Sequence, residues 1–263
     1  MLQLKGYQEK ALESLRIYLR ACDTLQDANL AFYQVTSQLW ERGIPYRPIK
    51  EPSELADIPY VCLRLPTGGG KTLLACHAVG VSNKEYLKKE NSLVLWLVPS
   101  NAIREQTLNA LRDRNHDYRQ ALDTSVGRVT VMDLSEALYL QAGALLGSTV
   151  IVVATLQAFR VEDREGRKVY ESSGALQHHF ESLPSLTLEN LDHDENSVAP
   201  YSLANLCGFI VPWSLWTRRT MPGPSFPLTR WRGFGPPPSS NSQPRRTAAK
   251  IQAMSFTAPR QRS

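Results

Sequence analysis

After Glu195 the chain has no acidic residue: residues 196–263 carry nine Lys/Arg and no Asp or Glu. Residues 1–195 hold 21 bases and 25 acids, so the formal net charge of +5 joins a mildly acidic stretch to a basic one. Ten of the 17 prolines and three of the five tryptophans also lie after residue 195. So sharp a shift marks a boundary. Cysteine is scarce too. Cys22, Cys62, Cys76 and Cys207 are the four, and no two have the spacing of a zinc pair or a CxxC redox site, which excludes a disulfide framework and implies a reducing, cytoplasmic setting. Cys62 and Cys76 sit in apolar surroundings and read as small hydrophobes. Long apolar runs are missing, and no charged-then-apolar pattern opens the chain, so neither a membrane span nor secretion is expected. What remains, 42% hydrophobic and 21% charged over 263 residues, is ordinary for a soluble globular protein of one large domain or two small ones.

An amphipathic helix over Tyr7–Leu25 and a second helical stretch over Asn29–Trp40 open the chain. A Pro-rich connection follows. "YVCLRL" reads as a buried strand, running into "PTGGGK" and then the helical "TLLACHAVGVS". "SLVLWLVPS", "GRVTVMDL" and "STVIVVAT" are further apolar or β-branched strands. "AIREQTLNALRD" and "SEALYLQAGALL" are helical between them. Strands alternating with helices predict a parallel sheet with right-handed crossovers. "RVEDREGRKVYESSG" and "TLENLDHDENSVAP" read as exposed loops, and His178, His179 and His193 as solvated.

"RLPTGGGKT", between strand and helix, carries the chemistry. Gly68, Gly69 and Gly70 let the backbone curl so that N–H groups converge on phosphate oxygens, and the helix beginning near Lys71 adds its positive end. Lys71 would reach the terminal phosphates and the Thr72 hydroxyl would ligate Mg²⁺. The strict pattern places glycine six residues before the lysine; here that residue is Leu65.

With that departure, "PTGGGKT" (Pro66, Thr67 and the residues already named) resembles the first motif of superfamily 2 helicases and translocases. Other pieces fall in the order this resemblance requires. "GYQEKAL" resembles the N-terminal glutamine motif, implying that Gln8 pairs with an adenine edge. "LVPSNAIREQ" resembles the next motif, implying nucleic-acid backbone contacts from Pro99, Ser100, Asn101 and Arg104. "VATLQAF" resembles the one after, implying the same for Thr155 and Gln157, groups that hold phosphates without reading sequence. The nearest branch is the Res subunit of type III restriction enzymes, over roughly residues 1–206. It implies a RecA-like P-loop domain, ATP and Mg²⁺ as cofactors, DNA as partner, and a DNA-methyltransferase subunit alongside.

Such ATPases need a strand ending in Asp-Glu, one acid for the Mg²⁺ shell and one to steer water. No acid follows residue 195, where that strand is due. The neighbouring reading frame supplies it. Trp216 has a single codon and threonine codons begin AC, so regrouping from the last base of the Leu215 codon forces an Asp and permits Val-Asp-Glu-Ala-His-Asn-Ala across Trp216–Pro222. Flanking residues permit Met-Val-Leu-Val before it and, farther on, Glu-Phe-Thr-Ala-Thr-Pro, which resembles the third helicase motif. Loss of one base near Leu206 accounts for both.

The expected protein is therefore an α/β, incomplete RecA-like P-loop NTPase domain over 1–206, with an out-of-frame, disordered, basic and Pro-rich tail over 207–263. It binds nucleotide weakly and hydrolyses little. Two other classes remain: a nucleic-acid-binding module built on the basic tail, with phosphate neutralisation and Trp stacking, and another P-loop NTPase such as a small-molecule kinase.

Overall fold

The computed structural model describes residues 2–40, 43–48, 58–155, 157–159, 168–181, 191, 201–210 and 213–216. Helices α1 (Gly6–Leu25) and α2 (Ala28–Trp40) form an antiparallel pair. The turn between them is set by Gln26, left-handed at φ 54°, and by Asp27, whose carboxylate accepts from Asn29 N (2.8 Å) and Leu30 N (2.9 Å). An Asp at that place satisfies donors that the first helical turn leaves open.

Helix α3 (Lys71–Ser82) follows the glycine loop and runs into a π-helical turn, Asn83–Leu87. Then come β1 (Leu93–Val98), α4 (Asn101–Arg112), α5 (Asp117–Val126), β2 (Val129–Asp133), α6 (Leu134–Ala137), α7 (Ala142–Gly147) and β3 (Thr149–Thr155). Farther on are α8 (Leu203–Ile210) and β4 (Trp213–Trp216). The four strands pair in the order β2-β3-β1-β4, all parallel.

Alternation along the strands divides the core in two. Val94, Trp96 and Val98 of β1, with Ile151 and Val153 of β3, pack against α1, α3, α4 and α5. Leu93, Leu95 and Leu97, with Val150, Val152 and Ala154, pack against α6, α8 and the 3₁₀ segment Gly174–His179. With both faces covered, β1 and β3 are buried at every position, as a parallel strand between helical layers must be. Burying each of these large side chains contributes about 1.5–3 kcal/mol.

Four expectations change. Residues 60–65 are not a strand. Val61, Cys62 and Leu65 are buried, but no described strand offers the segment a hydrogen-bonding ladder, and burial alone does not make one. The helix expected over residues 135–146 is two short helices, because Asp133 and Glu136 cap α6 reciprocally and Leu140 turns into the second core. His179 is not solvated: it is 8% exposed, with Nε2 2.8 Å from the Leu140 carbonyl. His178 is half-buried and accepts from Ala142 N at 2.9 Å. Both imidazoles tie the 3₁₀ segment to α7's entry; His193 lies outside the described residues.

The boundary expected after residue 206 falls inside α8, whose Leu203, Leu206 and Cys207 are buried together under the second core. Beyond it β4 adds to the free edge of β1. Of the tail expected to be disordered, 207–263, residues 207–210 lie in α8 and Trp213–Trp216 form β4; its other residues lie outside the described residues, as do most residues of the two acidic loops, in which Val169 and Leu191 are buried. All four cysteines are free and buried. Burial pushes the Cys22, Cys62 and Cys207 thiols up to about 12, which leaves them protonated and apolar.

Candidate nucleotide and nucleic-acid site

The glycine loop is shaped by its own residues. Gly68 (φ 75°) and Gly70 (φ 70°) are left-handed, a conformation that costs any other L-residue about 1–2 kcal/mol. Gly69 N bonds back to the Pro66 carbonyl at 3.0 Å, closing a tight turn. A Cβ on Gly69 would sit 2.9 Å from that same carbonyl oxygen, and one on Gly70 would sit 2.4 Å from Gln8 Nε2. Leu65, where the strict pattern has glycine, is 9% exposed and belongs to the first core. A large side chain there anchors the loop's entry.

Gly70 is the N-cap of α3, and no side chain caps the helix. The first-turn N–H groups therefore lack a side-chain acceptor, at the positive end of the helix dipole. Lys71 Nζ reaches back across the loop to the Pro66 carbonyl at 2.6 Å. Thr72 follows, half-buried. Uncapped donors, curled glycine backbone, an ammonium at the mouth and a hydroxyl one residue on form a donor set that fits a triphosphate with its Mg²⁺. Among the described residues Lys71 has no carboxylate partner, and no three His, Cys, Asp or Glu side chains gather as metal ligands.

Gln8 lies against this loop. It is 4% exposed; Nε2 donates to the Gly69 carbonyl (2.9 Å) and Oε1 accepts from Lys5 N (2.7 Å). The amide is thus engaged at both ends, as a brace between α1 and the loop. Tyr7, a residue the sequence reading passed over, adds its hydroxyl to the same Gly69 carbonyl at 3.2 Å. Its place beside Gln8 at the start of an amphipathic helix was the available signal.

The second group of residues gathers at the carboxyl ends of the strands. Val98 and Thr155 are register partners in β1 and β3, so the segments that follow them lie side by side. Pro99 and Ser100 lead into α4, with Ser100 Oγ accepting from Ile103 N at 3.5 Å. Asn101 is exposed on the first turn of α4, and Arg104 is half-buried one turn on, its Nε buried without a partner among the described residues. Thr155 ends β3, is 5% exposed and accepts from Ala158 N at 3.3 Å; Gln157 is exposed in the turn beyond it. The two motifs therefore form one rim, though Thr155 is committed to shaping the turn. β4 ends at Trp216, level with Leu97, beside this rim.

A parallel sheet covered on both faces by helices, with a glycine loop opening α3, defines a RecA-like P-loop NTPase domain. Residues 1–183 match the family described as type III restriction enzyme, res subunit, and the chain belongs to that family. The family's domain is a helicase-like ATPase motor that acts on DNA and uses ATP and Mg²⁺. No curated protein and no solved structure matches the chain. No helix among the described residues is long and apolar enough to cross a membrane.

Proposed function

We propose that Pro66–Thr72 hold the triphosphate of ATP and that the carboxyl-end rim tracks a DNA backbone, in a chain that binds nucleotide weakly and turns it over little. The observation that carries the binding half is the loop itself: two left-handed glycines, an uncapped helix start and Lys71 spanning the mouth. Backbone N–H groups of Gly68, Gly69 and Gly70 and the Lys71 ammonium would take phosphate oxygens, and the Thr72 hydroxyl would take Mg²⁺. With ATP and Mg²⁺ bound, the site would hold a phosphoryl donor and its counter-charge. Gln8 and Tyr7 keep the loop curled, and Gln8 would reach an adenine edge only by giving up one of its present bonds. Pro99, Ser100, Asn101, Arg104, Thr155 and Gln157 make the rim for DNA, with Asn101, Arg104 and Gln157 the ones placed to reach phosphates. The setting is cytoplasmic, and a DNA-methyltransferase subunit would be the protein partner.

The hydrolysis half rests on the absence of any acid after Glu195. β4 supports the frame-change reading. It lies parallel beside β1 and ends level with the rim, and the shifted frame permits Met-Val-Leu-Val over this strand followed at once by Asp-Glu. Sequencing the coding DNA tests the frame change, which fails if the true codons exclude that reading. Titrating the chain with a fluorescent ATP analogue tests the loop. Lys71→Ala is expected to weaken binding about ten- to a hundred-fold, the scale of a lost charge-assisted hydrogen bond; equal binding by Lys71→Ala overturns the loop assignment.

A further inference from the structure

We infer a second contact for the DNA phosphate backbone, in a basic cleft at the opposite end of α3 from the glycine loop. The inference rests on the reading of this chain as a DNA-acting motor. The cleft has a volume of about 750 Å³. It opens at the amino ends of the strands, where Glu90 and Asn91 lead into β1, Arg128 into β2 and Gly147 into β3. Helix α3 ends at this cleft with Gly80 and Asn83, so its 12 residues separate the two sites by about 18 Å of helix.

Four cations line the cleft, Lys84, Lys88, Lys89 and Arg128, all exposed, against one acid, Glu90. Lys88 is 3.3 Å from Asp23, while Lys84, Lys89 and Arg128 have no ion pair among the described residues. The acid of the π-helical turn, Glu85, is buried away beneath Arg20 (3.0 Å) and Arg16 (3.6 Å), which cancels its charge and pins the turn to α1. Residues 1–195 carry more acids than bases, so this concentration of positive charge does not follow from overall composition. Cations at the end of α3 complement its dipole, and Arg128, just past the end of α5, complements that helix in the same way. The walls are fixed: Ser92 Oγ donates to Asn83 Oδ1 at 2.8 Å, and Asn91 Nδ2 to the Leu146 carbonyl at 2.8 Å. Unpaired cations on both sides of a concave surface with fixed walls suit a chain of phosphates, which they bind by counterion release without reading bases.

The test is amine acylation of the full chain with and without a mixed-sequence duplex, read by mass spectrometry. The basic stretch after residue 195 holds eight arginines and a single lysine, Lys250, so lysine labelling reports the cleft rather than that stretch. Duplex is expected to protect Lys84 and Lys89 several-fold, with inorganic phosphate and polyglutamate protecting neither at the same salt. The triple variant Lys84→Gln, Lys89→Gln, Arg128→Gln should fold, its sites being exposed. It should lower the slope of log affinity against log salt by about two to three, near 0.9 per cation lost. Unprotected lysines on a duplex-bound chain overturn the cleft and leave the rim standing. Protection by polyglutamate but not duplex assigns the cleft to an acidic protein and overturns it also. A chain that binds no duplex at all overturns both the cleft and the rim.

Discussion

The glycine loop and the end of β4, the two halves of the proposed ATPase site, are in unequal condition. At the loop, glycine conformation, an open helix end, Lys71 and the Gln8 brace all suit the proposed phosphate binding. At β4 the backbone runs in parallel register with β1 to the level of the rim, but the sequence continues Trp-Thr-Arg-Arg-Thr, with no carboxylate to offer. The difference teaches that backbone placement and catalytic equipment are separable. A strand's pairing needs only a backbone ladder, and Trp213–Trp216 supplies one along β1. Steering water needs particular atoms, and nothing apolar substitutes for them.

Restoring the acids is the largest expected break in that comparison. One base inserted in the coding DNA near codon 206 should raise DNA-stimulated ATP turnover by about a hundred-fold or more, the usual scale of general acid–base assistance. Unchanged turnover in a folded product would leave the two halves unconnected.

Next comes the loop's shape. Gly70→Ala forces a side chain into left-handed backbone and a Cβ to 2.4 Å from Gln8 Nε2. It should cost about 1–2 kcal/mol in a chemical melt and weaken nucleotide binding with it. A variant that binds as before would show that the curl is dispensable.

A comparable effect on stability is expected away from both halves. A Cβ on Gly80 would meet the Ser125 carbonyl oxygen at 2.6 Å, so Gly80→Ala should push α3 from α5 and lower stability by about 1–3 kcal/mol, with nucleotide affinity reduced only through folding.

The smallest effect is in pH. Burial holds His77 and His179 below the ordinary imidazole value of 6.5; for His179 the Leu140 carbonyl opposes the shift and His178 adds to it. The unfolded chain then binds protons that the folded chain refuses, so stability contributed by the neutral rings is present above 6.5 and declines as pH falls below it. A melting temperature flat through that window would contradict the burial of these rings.

Much of this was legible before any coordinates. α1, α2, α3, β1, α4, β2 and β3 follow from apolar period and breakers, because each buries one face or is buried throughout. The loop was legible from glycines and lysine alone. Other features depend on partners distant in sequence. Residues 60–65 have a strand's composition but find no ladder. α5 buries only Ala121 and Leu122, too few for a visible stripe, although His116 before it and Gly127 after it are its stops. His179 looked polar in sequence and is satisfied by a carbonyl 39 residues away. Tyr7 and Gln8 meet the loop across more than 60 residues, so their bracing role belongs to the fold rather than to any local pattern.

The most direct measurement of the central claim is ATP turnover by the purified chain with and without DNA, beside Lys71→Ala and a nucleotide-binding titration of each. The expected result is binding that depends on Lys71, with turnover no higher than that of the variant. Robust DNA-stimulated hydrolysis that Lys71→Ala abolishes would contradict it, and would mean that an acid from residues 1–195 serves the site.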